Sequence, residues 1–324
     1  MILSIIKSAF TGLLLLLLTL RAFSAEKVNF SYSSLSGPAL PLWVAKDTGF
    51  FKKHGLDAQL VYIVGGRVVI QAMLAGEVQM AIAGPAAVIR ANLAGADLVY
   101  VGVASDVVDF VLVTEKAITN IQQLRGKRVG IGQFGGSPDF LSRIVLEKHG
   151  LTPDKDVRIV QMLTGQPGRL AALQSKAIEA VVIQPPISLQ AKQMGFNLLV
   201  DYSAVLPPFV SSGFVTTRSF IQQKAAVVEN GLRALLDAMR YIYSNEKDTI
   251  RIIGRTMKIA DNAFLREYYR DVLVKQFNKT LYPHVKAFEL VLEQERKTNL
   301  AAAKARPEDF INTRFLDKLR KEAY

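Results

Sequence analysis

The 324-residue chain has no cysteine and three histidines. Without cysteine there can be no thiol catalysis, Cys-ligated zinc, iron–sulfur cluster, disulfide scaffold or lipid-anchored N-terminal Cys. Histidine is too sparse for a nitrogen-ligated metal centre to be read with confidence. Beyond residue 25 no stretch reaches the roughly 20 apolar residues of a membrane-spanning helix. Acidic residues are the scarcer charge, 28 against 40 basic, for a net +12. The basic residues are spread along the chain, a diffuse field that argues only weakly for nucleic acid or a membrane surface. What is abundant is apolar: 50% hydrophobic against 21% charged residues, enough to bury the cores of two domains of about 100 to 200 residues each.

Residues 1–25 read as a secretory signal peptide. Lys7 precedes an apolar stretch over 9–20 with six consecutive leucines, and the small residues Ser24 and Ala25 follow. The stretch is about a dozen residues, short of a span. Arg21 and Phe23 fit a cleavage site poorly, so an uncleaved anchor is the alternative. Cleavage near Ala25 removes Lys7 and Arg21, leaving 38 basic and 28 acidic residues, a charge of +10. The mature chain is then expected in the periplasm.

The remainder contains an approximate copy of itself. Strand 28–32, helix 38–46, strand 57–64, helix 68–75 and strand 78–83 form alternating β and α units. The order recurs as strand 128–131, helix 138–149, strand 157–162, helix 168–175 and strand 178–183. Lys53-His54-Gly55-Leu56 returns as Lys148-His149-Gly150-Leu151, and Gly84-Pro85 lies 100 positions before Gln184-Pro185. The expected fold is α/β with two lobes, each a βα sandwich, whose ligands lie outside the carboxyl ends of the strands. Residues 209–217 read as a strand returning to the first lobe, with helices such as 225–243 and 262–277 packed on it. The expected boundaries are 26–114 with 211–324 for lobe one, including the C-terminal helices, and 115–210 for lobe two. The two hinge crossings fall near 111–115 and 210–214.

The run Pro41-Leu42-Trp43-Val44-Ala45-Lys46-Asp47-Thr48-Gly49-Phe50-Phe51-Lys52-Lys53-His54-Gly55-Leu56, then Gly65-Gly66 and Leu74-Ala75-Gly76-Glu77-Val78, resembles the substrate-binding components of ABC importers for sulfonate, taurine, nitrate or thiamine-pyrimidine precursors, the NMT1/THI5-like group. Leu124-Arg125-Gly126-Lys127-Arg128-Val129-Gly130 with Gly135-Gly136-Ser137 resembles the start of that family's second lobe. The resemblance implies a type II periplasmic binding-protein fold and a small-molecule ligand between the lobes. Its expected partners are ABC permease membrane subunits with a cytoplasmic ATPase. A monomer is expected, with no cofactor, no nucleic-acid partner and no catalytic or metal residues.

Gly130-Ile131-Gly132-Gln133-Phe134-Gly135 matches G-x-G-x-x-G, but Ser137 and Pro138 read as N-cap and first helical residue, so the third glycine lies outside the helix. The acidic residue expected after the next strand is also absent. A binding loop is the better reading, with a plain capped loop as alternative. His54 and His149 precede glycines at helix ends, where Gly supplies the left-handed cap. Ser33, Ser34 and Ser36 follow the first strand and serve either the ligand or turn chemistry. Gly65, Gly66 and Gly84 abut the same cleft. Arg67 either pairs with a carboxylate or sulfonate there or is a solvated surface residue. Trp43 reads as core. The expected ligand-binding set is Ser33, Ser34, Gly65, Gly66, Arg67 and Gly84 from lobe one with Gly135, Gly136, Ser137 and Gln184 from lobe two. Asp139, in the first turn of its helix, argues for a ligand with one acidic group on a neutral or aromatic body.

The sequence thus points to an extracytoplasmic solute-binding protein of an ABC importer, not an enzyme, that captures a small organic ligand, sulfonate- or carboxylate-like. The alternative is an enzyme on the same fold resembling thiamine-pyrimidine synthases. Those carry a cysteine-rich motif and an active-site histidine, and this chain has no cysteine.

Overall fold

A computed structural model describes residues 25–322 and residue 324; the signal-peptide reading lies outside them. Among these residues ten strands form two five-stranded sheets. The first holds β1 (Glu26–Tyr32), β2 (Leu56–Tyr62), β3 (Met80–Ala83) and β4 (Leu98–Ser105); the second holds β5 (Val111–Thr114), β6 (Arg128–Ile131), β7 (Arg158–Gln161), β8 (Ala180–Ile183) and β9 (Asn197–Asp201); β10 (Ser212–Thr217) returns to the first. Strand order is β2-β1-β3-β10-β4 in one sheet and β7-β6-β8-β5-β9 in the other. In each, the fourth position is taken by the strand that follows a crossing from the other lobe, and it runs antiparallel to its neighbours. β3, β4, β5 and β8 are buried along their whole length. Such unbroken apolar runs are what a sheet covered on both faces selects.

Helices α1 (Leu40–Asp47), α2 (Gly66–Leu74) and α3 (Pro85–Leu93) belong to lobe one, and α4 (Ser137–Lys148) and α5 (Gly165–Gln174) to lobe two. Gly55 and Gly150, after His54 and His149, have φ of 73° and 70°, the left-handed caps expected of them. Trp43 is buried in α1, edge-on to Tyr32. α6 (Arg218–Ser244) opens with Thr217, whose side chain accepts from Phe220 N at 3.0 Å. Its buried stripe of Ile221, Val228, Leu232, Leu235, Met239 and Ile242 follows helical spacing and packs on α1.

The C-terminal segment seals an edge. β4 ends the first sheet, yet Val103 N donates to Leu281 O at 2.7 Å, Asn278 N to Ala104 O at 2.9 Å and Asn312 N to Tyr100 O at 2.8 Å. Three of its edge groups are thereby satisfied, and its side chains are buried. The corresponding edge strand β9 stays half-buried.

β5 lies wholly in the second sheet, so the first crossing is 106–110, upstream of the expected 111–115. Val111-Leu112-Val113 is apolar on both faces and pairs with β8 and β9 instead of bridging lobes. The second crossing is 206–211, just before β10. The crossings do not stand alone. One apolar cluster runs through Val108, Phe110, Phe140, Phe209, Val210 and Phe288, with Phe140 stacked on Phe209 at 6.1 Å, joining the lobes behind the cleft. Rotation about the crossings must therefore carry this seam with it.

Candidate functional site

The carboxyl ends of both sheets face a cavity of about 100 Å³. A cavity of roughly 150 Å³ admits benzene, so the space enclosed with the lobes in contact suits one compact group. Of the expected set, Ser33, Ser34, Gly65, Gly66, Gly84, Gly136, Ser137 and Gln184 line it, joined by Tyr32, Tyr62, Phe110 and Ser211. Arg67 and Gly135 do not. Arg67 is exposed in the first turn of α2, whose inward face is Val69, Ile70 and Met73. The Gly135 carbonyl accepts from Arg90 Nη1 at 3.3 Å, outside the cavity.

Four helices begin at the cavity: α2, α3, α4 and α5, behind the caps Gly65, Gly84, Gly136 and Thr164. None of these caps supplies a side-chain hydrogen bond. Helix starts leave N–H donors unpaired and carry the positive end of the dipole, so together they favour negative charge. One such donor, Arg67 N, is taken across the cleft by Gln133 Oε1 at 3.0 Å. A Cβ on Gly65 would stand 2.6 Å from that Gln133 oxygen, and one on Gly84 would overlap Ser137 Oγ. These two glycines let lobe one approach lobe two. The helix after Gly136 starts at Ser137 with Pro138 in its first turn, one residue earlier than expected.

Arg169, outside the expected ligand-binding set, is the one charged side chain lining the cavity among the described residues. It is 5% exposed. Its Nε donates to Val182 O at 3.2 Å, and no carboxylate pairs with it among the described residues. Burial draws its pKa down to about 10, partly offset by Tyr62, so it stays protonated near neutral pH. A buried guanidinium without a carboxylate is costly, and an acid group on its Nη donors would compensate it bidentately.

Asp139 does not oppose an anion here. Its carboxylate accepts from Gly135 N at 2.8 Å and from Arg143 Nε at 2.8 Å, away from the cavity. The ion pair neutralises it, so the objection to an anionic ligand drawn from its position in the helix lapses.

The floor is a web of amides. Gln166, also unforeseen, donates to Ser34 Oγ at 2.6 Å and to Gln184 Oε1 at 3.1 Å, linking the lobes. Gln166 lies outside the helix that the sequence places from Gly168. The helix begins at Gly165, whose φ is 71°, and Pro167 sits in its first turn. The internal copy held the signal: Gly65-Gly66 lies 100 positions before Gly165-Gln166.

The model of the family described as NMT1/THI5 like matches residues 38–249. A Brucella abortus protein that carries the name of a binding protein, with no ligand specified, is 25% identical over 222 residues, 67% of each chain. The chain shares its fold with the periplasmic aliphatic sulphonate binding protein of Escherichia coli, at TM-score 0.70 and 20% identity over 90% of this chain and 99% of that one. It likewise resembles the periplasmic nitrate-binding protein of Synechocystis PCC 6803, at TM-score 0.76 and 14% identity over 92% and 89%.

Proposed function

The chain belongs to the NMT1/THI5-like family, and we propose that within it this protein is an extracytoplasmic solute receptor of an ABC importer. It captures a small organic acid, carboxylate- or sulfonate-like, between its lobes and delivers it to membrane permease subunits driven by a cytoplasmic ATPase. The observation that carries this reading is Arg169: a buried guanidinium, unpaired by any carboxylate among the described residues, in a cavity ringed by four uncapped helix starts. Gly136 and Ser137 offer backbone and hydroxyl at one of those starts, while Tyr32, Tyr62 and Phe110 bound the ligand's body. Among the described residues the lining presents no Asp, Glu, Lys or His to serve as general acid or base, which favours binding over turnover. Export follows from residues 1–25, and N-terminal sequencing of periplasmic protein should begin near Glu26; intact Met1 in the cytoplasm would contradict it.

A thermal-shift screen over sulfonates, nitrate, aromatic carboxylates and pyrimidines tests the ligand class. A ligand at about 100 times its Kd should add roughly 2.7 kcal/mol. Stabilisation by acids and not by neutral pyrimidines is expected. The reverse pattern would overturn the assignment of Arg169.

A further inference from the structure

Two buried amides on the cavity floor are oriented by partners that act in one direction only. The Gln184 backbone N–H can only donate, and it reaches Gln166 Oε1 at 2.5 Å. Gln166 must therefore turn its NH2 toward Ser34 and the Gln184 side chain. A carboxylate only accepts, and Asp109 Oδ1 takes Gln184 Nε2 at 2.6 Å. That leaves Gln184 Oε1 facing lobe one, where the Ser34 hydroxyl donates to it at 3.3 Å. Were the Gln184 amide turned over, its NH2 would meet the NH2 of Gln166, and its oxygen would meet the carboxylate.

Asp109 is placed to govern this choice. It is 5% exposed, lies on the first crossing, and accepts from Ser211 Oγ on the second crossing at 2.6 Å. Burial raises its pKa, opposed by the Ser211 and Gln184 donors. We infer that Asp109 is a positioning residue for lobe closure: it ties the two crossings together and aims the Gln184 carbonyl oxygen at Ser34, so that Ser34, Gln166 and Gln184 latch the cleft shut. The latch needs an acceptor at position 109, whether charged or neutral. It deepens the reading of ligand capture between two lobes, yet it is testable without ligand.

The absence of native cysteine makes the test clean. Glu77→Cys and Lys155→Cys, at exposed positions one per lobe, carry spin labels in the mature chain, and pulsed electron resonance reads the interlobe distance. Asp109→Leu should shift the distribution to the longer distances produced by Ser34→Ala. Combined with Ser34→Ala it should add no further shift, because both remove one coupled network. Asp109→Asn, which keeps an acceptor oxygen, should retain the wild-type distribution. A wild-type distribution for Asp109→Leu, a fully additive double variant, or an Asp109→Asn protein as open as Asp109→Leu would each overturn the latch. Should Asp109→Leu fail to fold, Gln184→Leu must open the cleft as Ser34→Ala does, and an unchanged distribution overturns the proposal. A wild-type chain already as open as Ser34→Ala refutes the latch and leaves ligand capture standing. A wild-type chain that binds no acid at Arg169 would refute capture and leave the latch standing.

Discussion

In the first lobe the junction of β2 and α2 carries Gly65 and Gly66, and α2 presents Val69. In the second lobe the first turn of α5, after β7, carries Gly165 and Gln166, and α5 presents Arg169. At the ends of β3 and β8 stand Gly84 and Gln184. The sheets match position by position, yet the side chains that could hold a ligand have opposite character. Lobe one contributes bare backbone, serine hydroxyls and the glycines that permit approach; lobe two, beside Gly136 and Ser137, contributes the guanidinium and the amides. Repeating a frame thus leaves each half free to specialise, because a site depends on a few positions and the frame on many.

The largest effect should come from breaking lobe two. Arg169→Gln is expected to weaken acid binding at least 100-fold, about 2.7 kcal/mol, with circular dichroism unchanged; Arg67→Gln, on the exposed helix face, should leave affinity within about twofold. Calorimetry of both variants with an acid identified by the thermal-shift screen decides between them, and equal losses would erase the distinction.

A smaller effect should come from filling the cleft glycines, Gly84 in lobe one and Gly136 in lobe two. Gly84→Ala places a Cβ over Ser137 Oγ, so closure must be incomplete and affinity should fall about tenfold, or about 1.4 kcal/mol. Gly136→Val should cost at least as much, by blocking backbone approach at the start of α4: φ at Gly136 is −82°, open to any residue, and the added Cβ stands 3.2 Å from Gln133 O, a contact that a shift of a few tenths of an ångström relieves.

How much of this was legible follows from the range of the interactions. The alternation of β1, the helices α2 and α4, and the caps Gly55 and Gly150 are local, and the sequence shows them within a residue or two. β4 has all eight residues buried and offers no alternation to detect. β5 was read as a crossing because its pairing with β8 and β9 joins residues some 70 to 90 positions apart. Ser34, Gly65, Gly66 and Gln184 could be placed because strand ends mark a cleft. Arg169 could not, because its significance is the lack of a partner, which only the fold reveals. Asp139 misled for the same reason, since Arg143, one helical turn away, cancels it.

The smallest effect sharpens the comparison through pH. Phe30 pairs with Met80 and Val129 with Ala180, so Gln79 and Glu179 occupy matching places. Gln79 Oε1 accepts from Asn29 N at 2.9 Å, and Glu179 Oε2 from Arg128 N at 3.0 Å. Glu179 also pairs with the Arg128 side chain, whose hydrogen bonds draw its pKa from the ordinary 4.5 to about 2. A lowered carboxylate pKa gives stability that is complete above the unfolded value and lost as pH falls toward the folded one. The Glu179→Gln protein should therefore be slightly less stable than wild type near neutral pH, by an amount limited by solvent screening, with the gap closing between about 4.5 and 2. Gln79→Ala should cost stability with no such pH dependence. Denaturant midpoints across that range provide the check.

The most direct measurement is a crystal structure with the strongest acid stabiliser bound. The acid oxygens should lie about 3 Å from the free guanidinium nitrogens of Arg169, with Gly136 and Ser137 in contact and both lobes closed on the ligand. An acid group held at Arg67 or elsewhere, with the Arg169 guanidinium left unengaged, would contradict the division of labour between the lobes.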